Sequence, residues 1–143
     1  GGAARAILYF LNKKSIENID IFATSTRKEK NLTENFKFKN FLIKSSHLKK
    51  RYDLIVNASS AGMAKNNKIN RNILCLVKKA RGVIDIVYNP IDTDLLREAR
   101  KHNIKSLGGL KMLVEQAKPS YEKWSGNKIK LDDTIYQILI SKI

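Results

Sequence analysis

The stretch Asp53-Leu-Ile-Val-Asn-Ala-Ser-Ser-Ala-Gly-Met63 constrains the fold of this chain more than any other. Leu54-Ile55-Val56 is a short, wholly apolar run, the pattern of a strand buried on both faces. It breaks into small polar residues and a glycine. A buried strand that empties into such a loop is how open α/β sheets build ligand sites at their carboxyl edge. Asn57, Ser59 and Ser60 can offer side-chain donors there, and small side chains let a flat ligand approach the backbone. Alone, the stretch is also compatible with an ordinary strand and loop, so its neighbours in sequence must decide.

The chain begins with a helix signal. Gly1-Gly2-Ala3-Ala4-Arg5-Ala6 leads into Ile7, Leu8, Phe10 and Leu11, apolar residues at helical spacing that fade near Lys13-Lys14. Glycines at the mouth of a helix suit a phosphate, because the backbone comes close and the first N–H groups lack helical partners. Ile19-Asp20-Ile21-Phe22-Ala23 alternates like a strand and ends about twenty residues later, where a dinucleotide fold reads the adenosine ribose. An acid at that point would favour NAD. Thr24-Ser25-Thr26-Arg27-Lys28 instead offers hydroxyls and two cations, which suits a 2′-phosphate and hence NADP. The competing reading of this segment is a solvated basic loop.

Phe41, Leu42 and Ile43 mark a further strand within a lysine-rich stretch. A helix is expected over residues 69–80, with Ile73, Leu74, Val77 and Ala80 inward and Cys75 as a core thiol. Residues 83–88 read as a strand stopped by Asn89-Pro90, since proline cannot donate to a ladder. Asp53 and Asp85 are read as opening buried strands at the end far from the ligand edge. Asp92 or Thr93 can cap a helix carrying Leu95, Leu96 and Ala99, and a short strand over 104–107 precedes Gly108-Gly109. Leu110, Leu113, Val114, Ala117, Tyr121 and Trp124 then stripe one face of a long helix, kinked at Pro119 and closed by Gly126. A last helix over 132–141 turns Ile135, Ile138 and Leu139 inward. Strands alternating with helices predict an α/β fold, a doubly wound and mainly parallel sheet flanked by helices, in one domain over 1–143.

Composition narrows the functional classes. A net charge of +15 raises nucleic-acid binding. Yet the lysines are spread along the chain, no aromatics interleave them, and no cluster exceeds Lys49-Lys50-Arg51, so no nucleic-acid partner is expected. No apolar run approaches the roughly twenty residues a membrane helix needs, and no leader opens the sequence. The one cysteine excludes an internal disulfide and a cysteine-based metal site, which fits a reducing cytoplasm. His47 and His102 are far apart in sequence, so no metal is expected.

Four segments in this order resemble the nucleotide-binding domain of the shikimate dehydrogenase family, whose fold is Rossmann-like. Gly1-Gly2-Ala3-Ala4-Arg5-Ala6 is similar to the tail of its Gly-Ala-Gly-Gly-Ala-x-Arg-Ala loop, and Asp53 to Met63 to its Asp-Leu-(Ile/Val)-Asn-Ala-Thr-x-x-Gly-Met. Asp85-Ile-Val-Tyr-Asn-Pro90, followed by Thr93-x-Leu95-Leu96, resembles its Asp-x-Val-Tyr-Asn-Pro segment. Gly109-Leu-Lys-Met-Leu-Val-Glu-Gln-Ala117, then Tyr121-Glu122-x-Trp124-Ser125-Gly126, resembles its closing signature. The resemblance implies NADPH-dependent reduction of 3-dehydroshikimate to shikimate, on the route to chorismate and the aromatic amino acids. It also implies a monomer or homodimer with small-molecule partners.

Residue by residue, it implies that Gly1, Gly2 and Ala3 hold the pyrophosphate and that Ala58, Ser59 and Ser60 line the cofactor groove. Ile86, Gly109 and Met112 fall at the nicotinamide end, and Tyr88 and Gln116 face the substrate. For Tyr88 and Met112 the competing role is core packing, while a polar Gln116 between Val114 and Ala117 wants a partner. The family's Asn-Arg-Thr-x-x-Lys grip appears as Ala23-Thr24-Ser25-Thr26-Arg27-Lys28, so NADP preference rests on Arg27 and Lys28. Its catalytic Lys and Asp would lie upstream of Gly1, as would the first strand and the first glycine, so a fragment without catalytic residues of its own is expected. An NAD-dependent quinate/shikimate dehydrogenase stays open as a rival. From other classes, so do a non-catalytic nucleotide-binding module and a basic nucleic-acid-binding protein.

Overall fold

The fold comes from a computed structural model, which describes residues 1–22, 36, 50–63 and 68–142. The chain divides into two compact units, Gly1–Lys50 and Arg51–Ile143.

In the first unit, helix α1 spans Gly2–Lys13 and buries Leu8. Lys13 in its last turn and Lys14 at its C-cap place cations where the helix dipole is negative. The backbone N–H of Lys14 closes the helix on the carbonyls of Phe10 and Leu11, each at 3.1 Å. Residues 19–22, expected as a strand, are irregular. Alternation alone makes no strand, which needs a neighbour's backbone, and no ladder partner stands beside them among the described residues. Lys50 Nζ pairs with the buried Asp20 carboxylate at 2.7 Å. The strand expected at Phe41, Leu42 and Ile43 lies outside the described residues.

The second unit is a parallel sheet with helices between its strands, the α/β arrangement that the alternating patterns dictate. Strands β1 (Ile55–Asn57), β2 (Gly82–Asp85) and β3 (Lys105–Leu107) stand side by side in that order. The register pairs Val56 with Ile84 and Val83 with Ser106. Helices α2 (Arg71–Val77) and α3 (Asp94–Lys101) make the crossovers, and α4 (Gly109–Ser125) and α5 (Asp133–Ile140) complete the chain. Each of α2, α3 and α5 starts at a side-chain cap: Asn70 accepts from Asn72 N, Thr93 from Leu96 N, and Asp132 from Ile135 N. The core joins Ile69, Val77, Val83, Leu95 and Ala99, with Ile55, Ala61, Ile73, Leu74 and Ile104 packed against it.

Several expectations need correction. β1 starts one residue later than Leu54, whose side chain is 47% exposed, because β1 is an outer strand among the described residues. α2 ends at Val77, since the Lys79 carbonyl and the Arg81 N–H already bond with Tyr52 on the way into β2. Ile73, Leu74, Val77 and Ala80 do face inward, joined by Leu76, while Cys75 is turned outward to solvent. In α4 only the first turns are buried, through Gly109, Leu110 and Val114. Tyr121 and Trp124, read as inward, are exposed, Trp124 by 84%. The apolar stripe of α4 instead faces α5 across an open groove of about 330 Å³, lined by Leu113, Ala117, Tyr121, Leu131 and Ile135. Ile138 of α5 is exposed too.

Candidate functional site

Parallel strands expose the same end together, so the carboxyl ends of β1 and β2 and the loops after them form one edge. The chemistry of that edge is organised by Asp85. This residue ends β2, and its side chain is 0% exposed. The reading of Asp85 as the remote start of a strand is thus reversed: β2 begins at Gly82 and stops at Asp85, so the carboxylate sits at the ligand edge.

Asp85 Oδ1 accepts from Asn57 Nδ2 at 2.9 Å and from the Val87 backbone N–H at 3.1 Å. Its Oδ2 accepts from Thr93 Oγ1 at 2.7 Å, and Thr93 Oγ1 in turn accepts from Leu96 N at 3.3 Å. On the other side, Asn57 Nδ2 also donates to the Ala61 carbonyl at 2.9 Å. Asn57 Oδ1 accepts from Ser59 Oγ at 2.7 Å and from Ser59 N at 3.2 Å, and Ser59 Oγ accepts from Ala61 N at 3.1 Å. These bonds fix the orientation of the Asn57 amide, since only its nitrogen can serve two acceptors. A charged acceptor strengthens each bond into it.

The side chains of the loop serve other roles than those expected. Both Asn57 Nδ2 hydrogens and the Ser59 hydroxyl proton are spent inside the protein, so neither side chain is the free donor that the sequence suggests. What they build is a shaped turn closed by Met63 N on the Ser60 carbonyl at 3.0 Å. Gly62 holds φ at +92°, a conformation that side chains rarely adopt, and a Cβ there would abut Thr93 at 3.8 Å. Ala58 is half-buried, while Ser59 and Ser60 are exposed.

The second wall is the segment after β2. Ile86 N donates to the Asn57 carbonyl at 3.1 Å, and Gly109 N donates to the Val87 carbonyl at 3.2 Å. The approach of the α4 N-terminus is so close that a Cβ on Gly109 would lie 2.1 Å from Ile86 O and 2.7 Å from Val87 O. Gly109 is therefore demanded by the protein's own backbone, and it docks α4 onto the β2 edge. Met112, one turn further, and Ile86 are both half-buried. Tyr88 is more than one-third exposed at the same edge, so it is not a core residue. Gln116 lies two turns into α4, about 10 Å along it, and is exposed, so it needs no buried partner. Neither side chain has a hydrogen-bond partner among the described residues.

In the other unit, α1 starts at Gly1 with no side-chain cap and no acid in its first turn. A Cβ on Gly1 or Gly2 would meet no atom within 4 Å, and Ala3 is half-buried. The open first turn of α1 and its free N–H groups fit an anion. Thr24, Ser25, Arg27 and Lys28 lie outside the described residues.

No family model matches the chain. Curated relatives do. A shikimate dehydrogenase (NADP(+)) of Bacillus subtilis is 37% identical over the whole chain and 52% of its own length. One of Bartonella quintana is 37% identical over 88% of the chain and 45% of its own length. The chain is homologous to about half of a shikimate dehydrogenase. Among solved structures, a chorismate mutase/shikimate 5-dehydrogenase fusion protein from Clostridium acetobutylicum superposes with a TM-score of 0.77 at 30% identity, over 99% of this chain and 52% of that one. A shikimate dehydrogenase in complex with NADP+ gives a TM-score of 0.68 at 33% identity, over 90% of this chain and 47% of that one. The shikimate dehydrogenase likeness thus extends from sequence to a shared Rossmann-like fold. The chain spans about half the length of the curated shikimate dehydrogenases it matches.

The side chains that the sequence comparison to shikimate dehydrogenases singled out are those that would touch a ligand. Missing from that set was Asp85, which touches only protein. Its signal was present: an acid directly after Val83-Ile84 in a buried strand must be paired to be tolerated.

Proposed function

We propose that this chain is the cofactor-binding part of an NADP-dependent shikimate dehydrogenase, reducing 3-dehydroshikimate to shikimate in the cytoplasm, as a monomer or homodimer. The supporting observation is the pre-formed carboxyl edge: a rigid small-residue turn after β1 beside an Ile86–Tyr88 segment pinned by the α4 N-terminus. A flat ring can lie against such an edge, and homology to NADP(+)-named dehydrogenases supplies its identity. In this reading Ala58, Ser59 and Ser60 line the groove, and Ile86, Gly109 and Met112 shape the nicotinamide end. Gly1, Gly2 and Ala3 take the pyrophosphate, whose close approach explains glycines that no protein neighbour requires. Arg27 and Lys28, with Thr24 and Ser25, take the 2′-phosphate. Tyr88 and Gln116 meet the substrate.

The bound cofactor supplies the hydride. The chain positions it and excludes water, but reduction of a ketone also needs a proton for the new hydroxyl. Asp85 cannot be the donor, because both its oxygens already accept hydrogen bonds. In this reading the proton comes from elsewhere in the intact protein, where the expected Lys and Asp of the family suit that role.

The test is cofactor protection against thermal unfolding. NADP+ should raise the melting temperature more than NAD+. Arg27→Ala should weaken NADPH binding roughly ten- to a hundredfold, the worth of about 1–3 kcal/mol of charge-assisted contact, and leave NADH nearly unchanged. Equal losses for both cofactors would sink the 2′-phosphate assignment of Arg27 and Lys28, and stronger protection by NAD+ would favour the NAD-dependent quinate/shikimate reading, which Thr24 in place of the family's Arg keeps in play.

A further inference from the structure

We propose that Asp85 is a positioning residue that holds the two walls of the cofactor groove in one fixed relation before any ligand arrives. The inference rests on the cofactor reading above and deepens it. The two walls belong to different strands, and their backbones meet through the Ile86 N to Asn57 O bond. Among the described side chains, one carboxylate adds to that backbone pairing by bonding to both walls.

Oδ1 of Asp85 reaches both walls at once: Asn57 Nδ2, which shapes the turn, and Val87 N, which belongs to the second wall. Oδ2 anchors the same carboxylate to Thr93 at the start of α3. A buried carboxylate with three donors is held rigidly, because losing any one leaves a polar group unpaired away from water. From Asn57 the constraint passes through Ser59 Oγ to Ala61 N, and so reaches the exposed surface of the turn. Asp85 itself is fully buried and lies behind this surface, so it acts on a ligand only through Asn57 and Val87.

Pre-organisation of this kind shows in affinity. A turn uncoupled from its partner wall must be ordered by the ligand, and the ordering cost appears as weaker binding. The cost falls on whatever occupies the walls, the nicotinamide side, and not on the adenosine 2′,5′-bisphosphate side, which Gly1–Ala3 and Arg27–Lys28 take. This separation distinguishes a positioning role from a general loss of structure.

The experiment measures equilibrium binding of NADP+ and of adenosine 2′,5′-bisphosphate to the full chain and to two variants. Asp85→Asn keeps the shape and the acceptor for Asn57 but loses the charge and one acceptor. Thr93→Val removes the donor to Oδ2 at a residue that does not line the groove. Each folded variant, checked by circular dichroism, should bind NADP+ on the order of tenfold more weakly and the bisphosphate as the unaltered chain does. Should Asp85→Asn fail to fold, Thr93→Val carries the test. Unchanged NADP+ affinity in the folded variants, or equal weakening of both ligands, overturns the positioning role. An unaltered chain that binds neither ligand overturns the cofactor reading itself, and the positioning role with it.

Discussion

At the scale of single residues, Gly109 is the most sharply defined position. A methyl group there would overlap the carbonyls of Ile86 and Val87, both backbone atoms that cannot swing aside. Gly109→Ala should therefore push α4 off the β2 edge and destabilise the protein by about 1–3 kcal/mol or more, measured by urea unfolding. An unchanged midpoint would mean that α4 is not docked as described. Gln116 gives the opposite kind of test. It is exposed and unpartnered among the described residues, so Gln116→Ala should leave stability within about 0.5 kcal/mol. In the intact enzyme it should raise the KM for shikimate while NADP+ affinity stays the same. A change in melting temperature without a change in KM would make the residue structural. The sequence made the small, ligand-facing residues legible, because glycines and short polar side chains after an apolar run carry a local signature. It hid Asp85, Cys75 and the inward commitment of Asn57. Those depend on which strand end or helix face a residue occupies, and a one-residue shift in a boundary reverses that.

At the scale of elements, the Thr93 cap and the strand–helix alternation were readable and the outer half of α4 was not. Thr93 carries local chemistry that a sequence displays directly, whereas the caps at Asn70 and Asp132 came from the structure. The stripe from Leu110 to Trp124 is continuous in sequence, yet only its first turns meet the core, and periodicity cannot say how far a partner surface extends. Helix α3 also bears an acid–base cluster at its start. Asp92 pairs with Arg100 and, at 3.4 Å, with Arg97, which also pairs with Asp94. The Arg100 hydrogen bond, with help from Arg97, holds the Asp92 carboxyl below its ordinary value of 3.8. A lowered carboxylate stabilises the fold above its unfolded pKa, and that contribution fades as the pH drops through the folded one. Asp92→Asn should thus cost less than about 1 kcal/mol at neutral pH, after solvent screening. The difference should fade as the pH falls below the ordinary value, vanish below the lowered one, and shrink in 1 M salt. A difference that persists in acid would assign the effect to packing.

For the molecule as a whole, the division of labour is the central expectation. The chain matches about half the length of its relatives, and the carboxylate at its ligand edge is fully engaged. Purified residues 1–143 should bind NADP+ yet show no shikimate-dependent reduction of it above the buffer rate, followed by absorbance. Turnover would place a proton donor within these residues. The charge of +15 adds a second whole-chain expectation: like charges repel, so melting should shift upward as salt rises from low ionic strength. The Asn57–Asp85–Thr93 relay also leaves a mark in time. Three amide hydrogens, on Ser59, Val87 and Leu96, point at side-chain oxygens of this one relay, two of them outside the sheet ladder and the third in the first turn of α3. Deuterium from solvent should therefore enter all three through one shared opening. In Asp85→Asn their uptake should quicken together, although Ser59 follows β1 and Leu96 lies in α3.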